Sequence, residues 1–147
     1  MKRAQILTLG TAFIVTSGVA QPLPKIELRP IFLKLKALLA TGMEEAPDGS
    51  GRFFILQQDG QIVVTTNGAD GSEAKEFLNI TNRHPHTGVE DGLAGLTFHP
   101  GFSTNGLFYI YYTQEKPRRS VISELKVAAD GSGDLKSERL VMEVPQP

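Results

Sequence analysis

Residues 90–113 read EDGLAGLTFHPGFSTNGLFYIYYT, which is two β-strand patterns separated by a turn. Leu93 to Phe98 and Leu107 to Thr113 are rich in aromatic and aliphatic residues, and these favour strands. Pro100 ends the first pattern, because proline cannot donate a hydrogen bond to a sheet ladder. We interpret Asn105-Gly106 as the hairpin turn that starts the second strand. The stretch therefore predicts an antiparallel pair with one face in the core.

The same pattern of short strands and turns continues on both sides. Asp59-Gly60 predicts a tight type I′ hairpin, in which both central residues have positive φ. The segment from Ile31 to Leu39 fits a short helix or a strand, and the spacing does not choose between them. Short strands with Asp-Gly turns and little helix predict an all-β domain: a sandwich, a barrel or a propeller. The further predicted strands are Arg52–Gln57, Ile62–Thr66, Glu76–Ile80, Val121–Val127 and Arg139–Val144.

Two loops share the sequence Asp-Gly-Ser-Gly. They begin at Asp48 and at Asp130. A propeller blade takes roughly 40–50 residues, so the separation between the two loops along the chain corresponds to about two blades. The spacing is suggestive of a propeller and no more, because Asp-Gly-Ser turns are common.

The first twenty residues have the features of a secretory signal. Lys2-Arg3 is a short basic head, Ile6 to Val15 is mostly apolar, and Gly18 and Ala20 are small residues before a cleavage point. An uncleaved anchor is the alternative, although the apolar run is short for a span of about 20 residues. We therefore predict a signal peptide over residues 1–20, cleavage near Ala20, and one domain over residues 21–147 in the periplasm or outside the cell.

Composition excludes two classes of partner. The formal net charge is −1, and removal of Lys2 and Arg3 with the signal segment makes it more negative. Such a chain has no polybasic footprint for nucleic acid, and we expect no membrane contact after signal cleavage. The sequence has no cysteine, so a packed core rather than disulfides must supply the stability of an exported domain.

Three parts of the chain resemble the glucose/sorbosone dehydrogenase family, whose soluble members are aldose dehydrogenases that depend on pyrroloquinoline quinone (PQQ). Residues 29–30 with 46–64 (RP…APDGSGRFFILQQDGQIVV) are similar to the family's opening blade. Residues 89–113 (VEDGLAGLTFHPGFSTNGLFYIYYT) resemble its most specific segment. Residues 121–127 and 130–147 (VISELKV…DGSGDLKSERLVMEVPQP) resemble the strands that follow. The resemblance covers roughly Arg29 to Pro147.

The resemblance implies a fold and part of a site. The expected fold is the amino-terminal blades, about half, of a six-bladed β-propeller. In the family a polar side chain just before the Gly-Leu-x-Gly turn lies at the cofactor pocket, and here that position is Glu90. The alternative for Glu90 is a solvated loop carboxylate beside Asp91. The family's catalytic histidine follows a segment like Val144–Pro147, so we assign no catalytic residue to this chain.

Two functional hypotheses follow from that resemblance. The first is the amino-terminal part of a secreted PQQ-dependent sugar dehydrogenase, with PQQ and calcium as implied cofactors and a sugar and an electron acceptor as partners. By itself this part is expected to be inactive, because the catalytic histidine and most cofactor ligands of the family would lie beyond Pro147. The alternative is a non-enzymatic secreted β-module that binds protein or carbohydrate.

The chain also contains three histidines and a small basic cluster. His84-Pro85-His86 has the spacing of a pair of Zn or Cu ligands, but the only candidate third ligands are Glu90 and Asp91, so we predict no metal site. His99 is interpreted as a structural turn residue. The basic cluster of Lys116, Arg118 and Arg119 is interpreted as a solvated loop.

Overall fold

The structure is a computed structural model and describes residues 23–83, 85 and 88–147. The described chain forms two four-stranded antiparallel sheets, and in each sheet the strands follow one another in sequence order. The first sheet contains β1 (Ala40–Glu45), β2 (Arg52–Gln57), β3 (Gln61–Thr66) and β4 (Lys75–Asn79). The second contains β5 (Leu93–Phe98), β6 (Leu107–Gln114), β7 (Arg119–Val127) and β8 (Gly133–Pro145).

Each sheet has the four-stranded meander of a propeller blade, and the all-β prediction is confirmed. In the described part of the chain, helix is limited to a 3₁₀ turn, Thr81–Arg83, and one α-helical turn, α1 (Phe102–Asn105). Within the described ranges, no helix is long and apolar enough to cross a membrane. The predicted signal peptide, residues 1–20, lies outside the described residues.

The core lies between the two sheets and is continuous across them. Phe54 of β2 and Phe77 of β4 are fully buried, with ring centroids 4.7 Å apart. Phe54 also contacts Phe98 of the second sheet at 5.1 Å, and Phe77 contacts Phe108 at 5.1 Å. Because each buried phenylalanine stabilises the fold by roughly 1.5–3 kcal/mol, this aromatic cluster helps to hold the two sheets together.

Both predicted hairpin turns have a different geometry. The Gly60 amide donates to the Gln57 carbonyl at 3.0 Å, and Gly60 has φ +107 whereas Asp59 has no positive φ. The type I′ prediction was therefore wrong. Between β5 and β6 the chain makes α1 instead of a tight Asn-Gly turn. Gly106, with φ +64, caps α1 by donating to the Phe102 carbonyl.

Two regions at the start of the domain have structures that the sequence did not predict. Residues 31–38, hereafter the strap, form neither helix nor strand and cross the outer face of the first sheet. β1 follows the strap and was not predicted, because ATGMEE has no apolar alternation and its residues are mostly exposed. The two Asp-Gly-Ser-Gly loops do not occupy equivalent positions in the two sheets. Asp48 lies between β1 and β2, and Asp130 lies between β7 and β8.

Candidate functional site

One end of the two sheets gathers the loops that carry the predicted site. In an antiparallel meander alternate connections lie at the same end, so the β2–β3 turn, the β4–β5 connection and the β6–β7 turn lie together. The Gln58 side-chain amide of the β2–β3 turn donates to the carbonyls of Gly88 and Asp91, at 2.5 and 2.7 Å. Arg118 of the β6–β7 turn forms an ion pair with Asp91 at 3.3 Å. We call this region the loop end.

Gly92 and Gln58 approach each other closely at the entrance to β5. Gly92 has φ +115, and a Cβ atom there would come within 2.3 Å of the Gln58 carbonyl oxygen. That same oxygen accepts a hydrogen bond from the Leu93 amide at 3.1 Å. On its other side, the Gly92 amide donates to Thr113 Oγ1 at 2.7 Å and its carbonyl accepts from the Thr113 amide at 3.0 Å. Glycine is therefore required here for both conformation and space.

Glu90 lies between these anchors and is exposed, as is Val89 before it. Among the described residues, Glu90 makes no hydrogen bond or ion pair, whereas the carbonyls of Gly88 and Asp91 on either side are held by Gln58. The backbone on both sides of Glu90 is thus fixed while its carboxylate stays accessible. The cofactor role of Glu90 remains a prediction.

The basic cluster is not a simple solvated loop. Arg118 pairs with Asp91, and its carbonyl accepts a hydrogen bond from the Gln146 amide at 3.0 Å. Arg119 pairs with Glu143 of β8 at 2.6 Å and donates to the Gln114 side chain. Both arginines therefore tie the β6–β7 turn to neighbouring segments. Lys116 is exposed, as expected.

Arg83 braces the start of the β4–β5 connection against the second sheet. Its guanidinium forms an ion pair with Glu138 of β8 and donates to the Tyr112 hydroxyl at 3.3 Å. Burial acts to raise the pKa of Glu138, but the hydrogen bond from Arg83, the nearby Ser123 hydroxyl and the charge of Arg83 outweigh it and lower the pKa. The buried Ser123 hydroxyl lies close to this carboxylate without reaching good hydrogen-bond geometry. These side chains line a polar groove of about 440 Å³.

The histidine predictions have different outcomes. His99 Nδ1 accepts a hydrogen bond from the Gly101 amide at 2.9 Å and lies 2.9 Å from the Asn105 side-chain amide, so the ring closes the turn into α1, which is a structural role. His84 and His86 lie outside the described residues. Within the described ranges, no group of three or more His, Cys, Asp or Glu side chains could hold a metal ion.

Sequence reasoning located the Glu90 loop but missed what positions it. Gln58 and Thr113 are far from Glu90 in sequence, and a glutamine in a turn or a threonine in a strand carries no motif. The glycine at 92 was the available signal, because a conformationally special glycine beside a site implies a close neighbour.

Comparison with known proteins gives a family and a fold. The family model described as Glucose / Sorbosone dehydrogenase matches residues 39–146. The PQQ-bound aldose sugar dehydrogenase of Streptomyces coelicolor superposes with a TM-score of 0.55 and 16% identity, over 77% of this chain and 31% of that one. The apo-form of the soluble aldose sugar dehydrogenase of Escherichia coli gives 0.51 and 15%, over 71% and 29%. At these identities the solved structures establish the fold alone.

The chain also matches parts of proteins that are not named as dehydrogenases. Human Hedgehog-interacting protein is 34% identical over 85 residues, which is 54% of this chain and 12% of that protein. The HIPL2 protein of Arabidopsis thaliana is 32% identical over 77 residues, 48% of this chain and 11% of that protein. The chain therefore spans only a small part of the length of each of these relatives.

Proposed function

The chain belongs to the glucose/sorbosone dehydrogenase family, and from this premise we propose that it forms the first two blades of a PQQ-dependent sugar dehydrogenase. The observation that carries the proposal is the family match over residues 39–146, because it spans both sheets and the whole loop end. In this proposal the two sheets are scaffold, and the loop with Glu90 is the chain's contribution to the cofactor pocket.

The anchoring of the loop supports a positioning role. Gln58 and Gly92 hold the backbone around Glu90 through the Gly88 and Asp91 carbonyls and the Leu93 amide. A carboxylate on a fixed backbone can accept a hydrogen bond or hold a cation at a defined point. We propose that Glu90 supplies one such contact to PQQ or to its calcium ion.

The charges at the loop end do not fit the whole cofactor. PQQ is a tricarboxylate, so its site needs cationic partners. Among the described residues of the loop end, Arg118 and Arg119 already pair with Asp91 and Glu143, Glu90 adds another negative charge, and the exposed Lys116 is a single cation against three carboxylates. We therefore assign no reaction step to this chain, and propose that the cationic part of the pocket comes from other blades of the family's propeller.

The remaining parts of this proposal concern partners and location. A sugar would be the substrate, and an electron acceptor would receive the electrons from the cofactor, which supplies the redox chemistry when bound. Export through a signal peptide over residues 1–20 would place the protein in the periplasm or outside the cell.

A dye-linked assay tests the expected inactivity. The purified 147-residue chain, supplied with PQQ, calcium and glucose, should reduce no dye, because the described part of the loop end has too few unpaired cationic side chains to balance the three carboxylates of the cofactor. Turnover above that of free PQQ would refute this.

The role of Glu90 needs a binding test that works at weak affinity. In NMR titrations with PQQ and calcium, amide shift changes should centre on residues 88–92 and weaken in Glu90→Gln. Glu45→Gln is the matched control, since Glu45 is an exposed carboxylate at the opposite end of the first sheet. Equal shift changes in both variants would exclude Glu90 from the contact.

A second candidate is a non-enzymatic secreted binding module. The observation that favours it is the similarity to Hedgehog-interacting protein, at 34% identity over 85 residues. A chain that melts cooperatively as a monomer and shows no PQQ-dependent shifts at residues 88–92 would support this candidate over the first.

A further inference from the structure

The chain contains two Asn-Gly pairs that the fold places in different environments. Asn67-Gly68 lies in the turn between β3 and β4, and Asn105-Gly106 lies at the end of α1. An asparagine before a glycine is chemically labile, because glycine has no Cβ atom to hinder attack of its amide nitrogen on the asparagine side chain. The two pairs are identical as dipeptides, so a difference in reactivity between them has to come from their surroundings.

The first pair is accessible and loosely held. Asn67 and Gly68 are both exposed. Among the described residues, neither the Asn67 carboxamide nor the Gly68 amide makes a hydrogen bond. A Cβ atom at Gly68 would have no neighbour within 4 Å, so the space around the pair is open. One hydrogen bond closes the turn, from the Ala69 amide to the Thr66 carbonyl at 3.1 Å.

The second pair has both of its reacting groups engaged. Asn105 Oδ1 accepts a hydrogen bond from the Leu107 amide at 2.9 Å, and Asn105 Nδ2 lies 2.9 Å from His99 Nδ1. The Gly106 amide, which is the nitrogen that would attack, donates to the Phe102 carbonyl at 2.9 Å. Attack would therefore require several hydrogen bonds to break together, whereas in the first pair only the turn has to open.

We propose that Asn67 is a site of spontaneous deamidation and that the fold protects Asn105 from the same reaction. The Gly68 nitrogen gives its proton to base and bonds to Asn67 Cγ, and the Cγ–Nδ2 bond breaks with release of ammonia. Water then opens the cyclic imide at one of its two carbonyl carbons, which leaves either aspartate or isoaspartate at position 67. The reactants are the chain and water alone, and this reactivity does not depend on the proposed function.

The reaction changes one side of the turn and leaves the other intact. Both products carry a carboxylate in place of the carboxamide, and isoaspartate also adds a methylene to the backbone between positions 67 and 68. The added atom lies within the ring that the Ala69–Thr66 hydrogen bond closes. The Asn67 amide, which donates to the Gly51 carbonyl at 2.7 Å, precedes the altered bond and is unchanged.

Peptide mapping by mass spectrometry compares the two sites within one protein. Trypsin releases residues 53–75 and residues 84–118, in which Asn67 and Asn105 are the only asparagines. When the folded chain is kept in mildly alkaline buffer, conversion of amide to acid should be at least about tenfold faster in the first peptide, because only there can the glycine nitrogen reach the side chain readily. In concentrated urea the two peptides should convert at similar rates.

Three results of this comparison would overturn the proposal. Equal rates in the folded chain would show that the contacts of Asn105 do not protect it. Absence of conversion at Asn67 would remove the site itself. A difference that persists in urea would come from neighbouring sequence and not from the fold.

Substitution of the attacking residue tests the chemical step. Gly68→Ala should slow conversion of Asn67 several-fold, because the new Cβ atom hinders the nitrogen. Gly49→Ala is the matched control, since Gly49 also has a positive φ and open space around its Cβ position but follows an aspartate. An isoaspartyl methyltransferase, which labels isoaspartate and not aspartate, should label residues 53–75 of the aged protein. Equal rates in both variants, or no labelling, would refute attack by the Gly68 nitrogen.

Discussion

Replacement of Gly92 by alanine tests whether the contact with Gln58 fixes the loop that carries Glu90. Two effects are expected to lower the free energy of unfolding of this variant. An alanine at φ +115 costs about 1–3 kcal/mol, because side chains with a Cβ atom rarely adopt this conformation. The new Cβ atom would also lie 2.3 Å from the Gln58 carbonyl oxygen, so the two backbones must separate.

The separation of the two backbones also destabilises the fold. It disrupts the hydrogen bond from the Leu93 amide to the Gln58 carbonyl, and a typical hydrogen bond contributes about 0.5–1.5 kcal/mol net. The free energy of unfolding of Gly92→Ala should therefore fall by about 2–4 kcal/mol. Urea unfolding followed by far-ultraviolet circular dichroism measures this value, provided the m-value is unchanged.

Gly68→Ala is the matched control. Gly68 has φ +82, but a Cβ atom there would have no neighbour within 4 Å, so this variant carries the conformational cost without the clash. We expect it to lose about 1–2 kcal/mol. If Gly92→Ala loses no more stability than Gly68→Ala, the close approach to Gln58 does not constrain the loop, and the argument for a positioned Glu90 fails.

Two further predictions concern ion pairs. Arg83→Met should destabilise the fold by about 1–3 kcal/mol, because it leaves the partly buried Glu138 carboxylate without its partner. Loss of the exposed Arg139 should cost less than about 1 kcal/mol. Equal losses of stability in thermal or urea unfolding would contradict this prediction. Burial acts to raise the pKa of Asp48, but hydrogen bonds from Ser50 and the adjacent Arg52 guanidinium lower it to about 2. Asp48 therefore stabilises the fold above its unfolded pKa of 3.8, and this stabilisation is lost as pH falls towards 2. The free energy of unfolding of Asp48→Asn should accordingly vary less between pH 3.8 and pH 2 than that of the wild type.

Strand positions were predictable wherever apolar residues alternate between turn signals. β2, β3, β5 and β7 carry this pattern, and their observed bounds agree with the prediction to within two residues. β1 was missed because it is an edge strand whose side chains are mostly exposed, so burial imposes no pattern on its sequence. β8 was predicted only from Arg139, but it begins at Gly133.

Turn geometry was harder to predict than strands, because it depends on neighbours outside the turn. Asp59-Gly60 suits a type I′ turn locally, but Gly60 lies against Pro85 and Ile80 of the following connection, which restricts its conformation. The candidate site also depends on residues that are distant in sequence. Glu90 was identified by its place in a motif, whereas Gln58, which holds the loop, became visible only through its hydrogen bonds.

The consecutive strand order of the two sheets also has a consequence for how the chain acquires its structure. Each sheet is made from one uninterrupted stretch of sequence, so its pairings join segments that are close along the chain. Contacts of this kind form early, because they close short loops. During synthesis the first sheet would be complete before β5 emerges, but Phe54 and Phe77 would still await Phe98 and Phe108. We therefore expect the first sheet to pair its strands early and to gain lasting stability only when the second sheet docks.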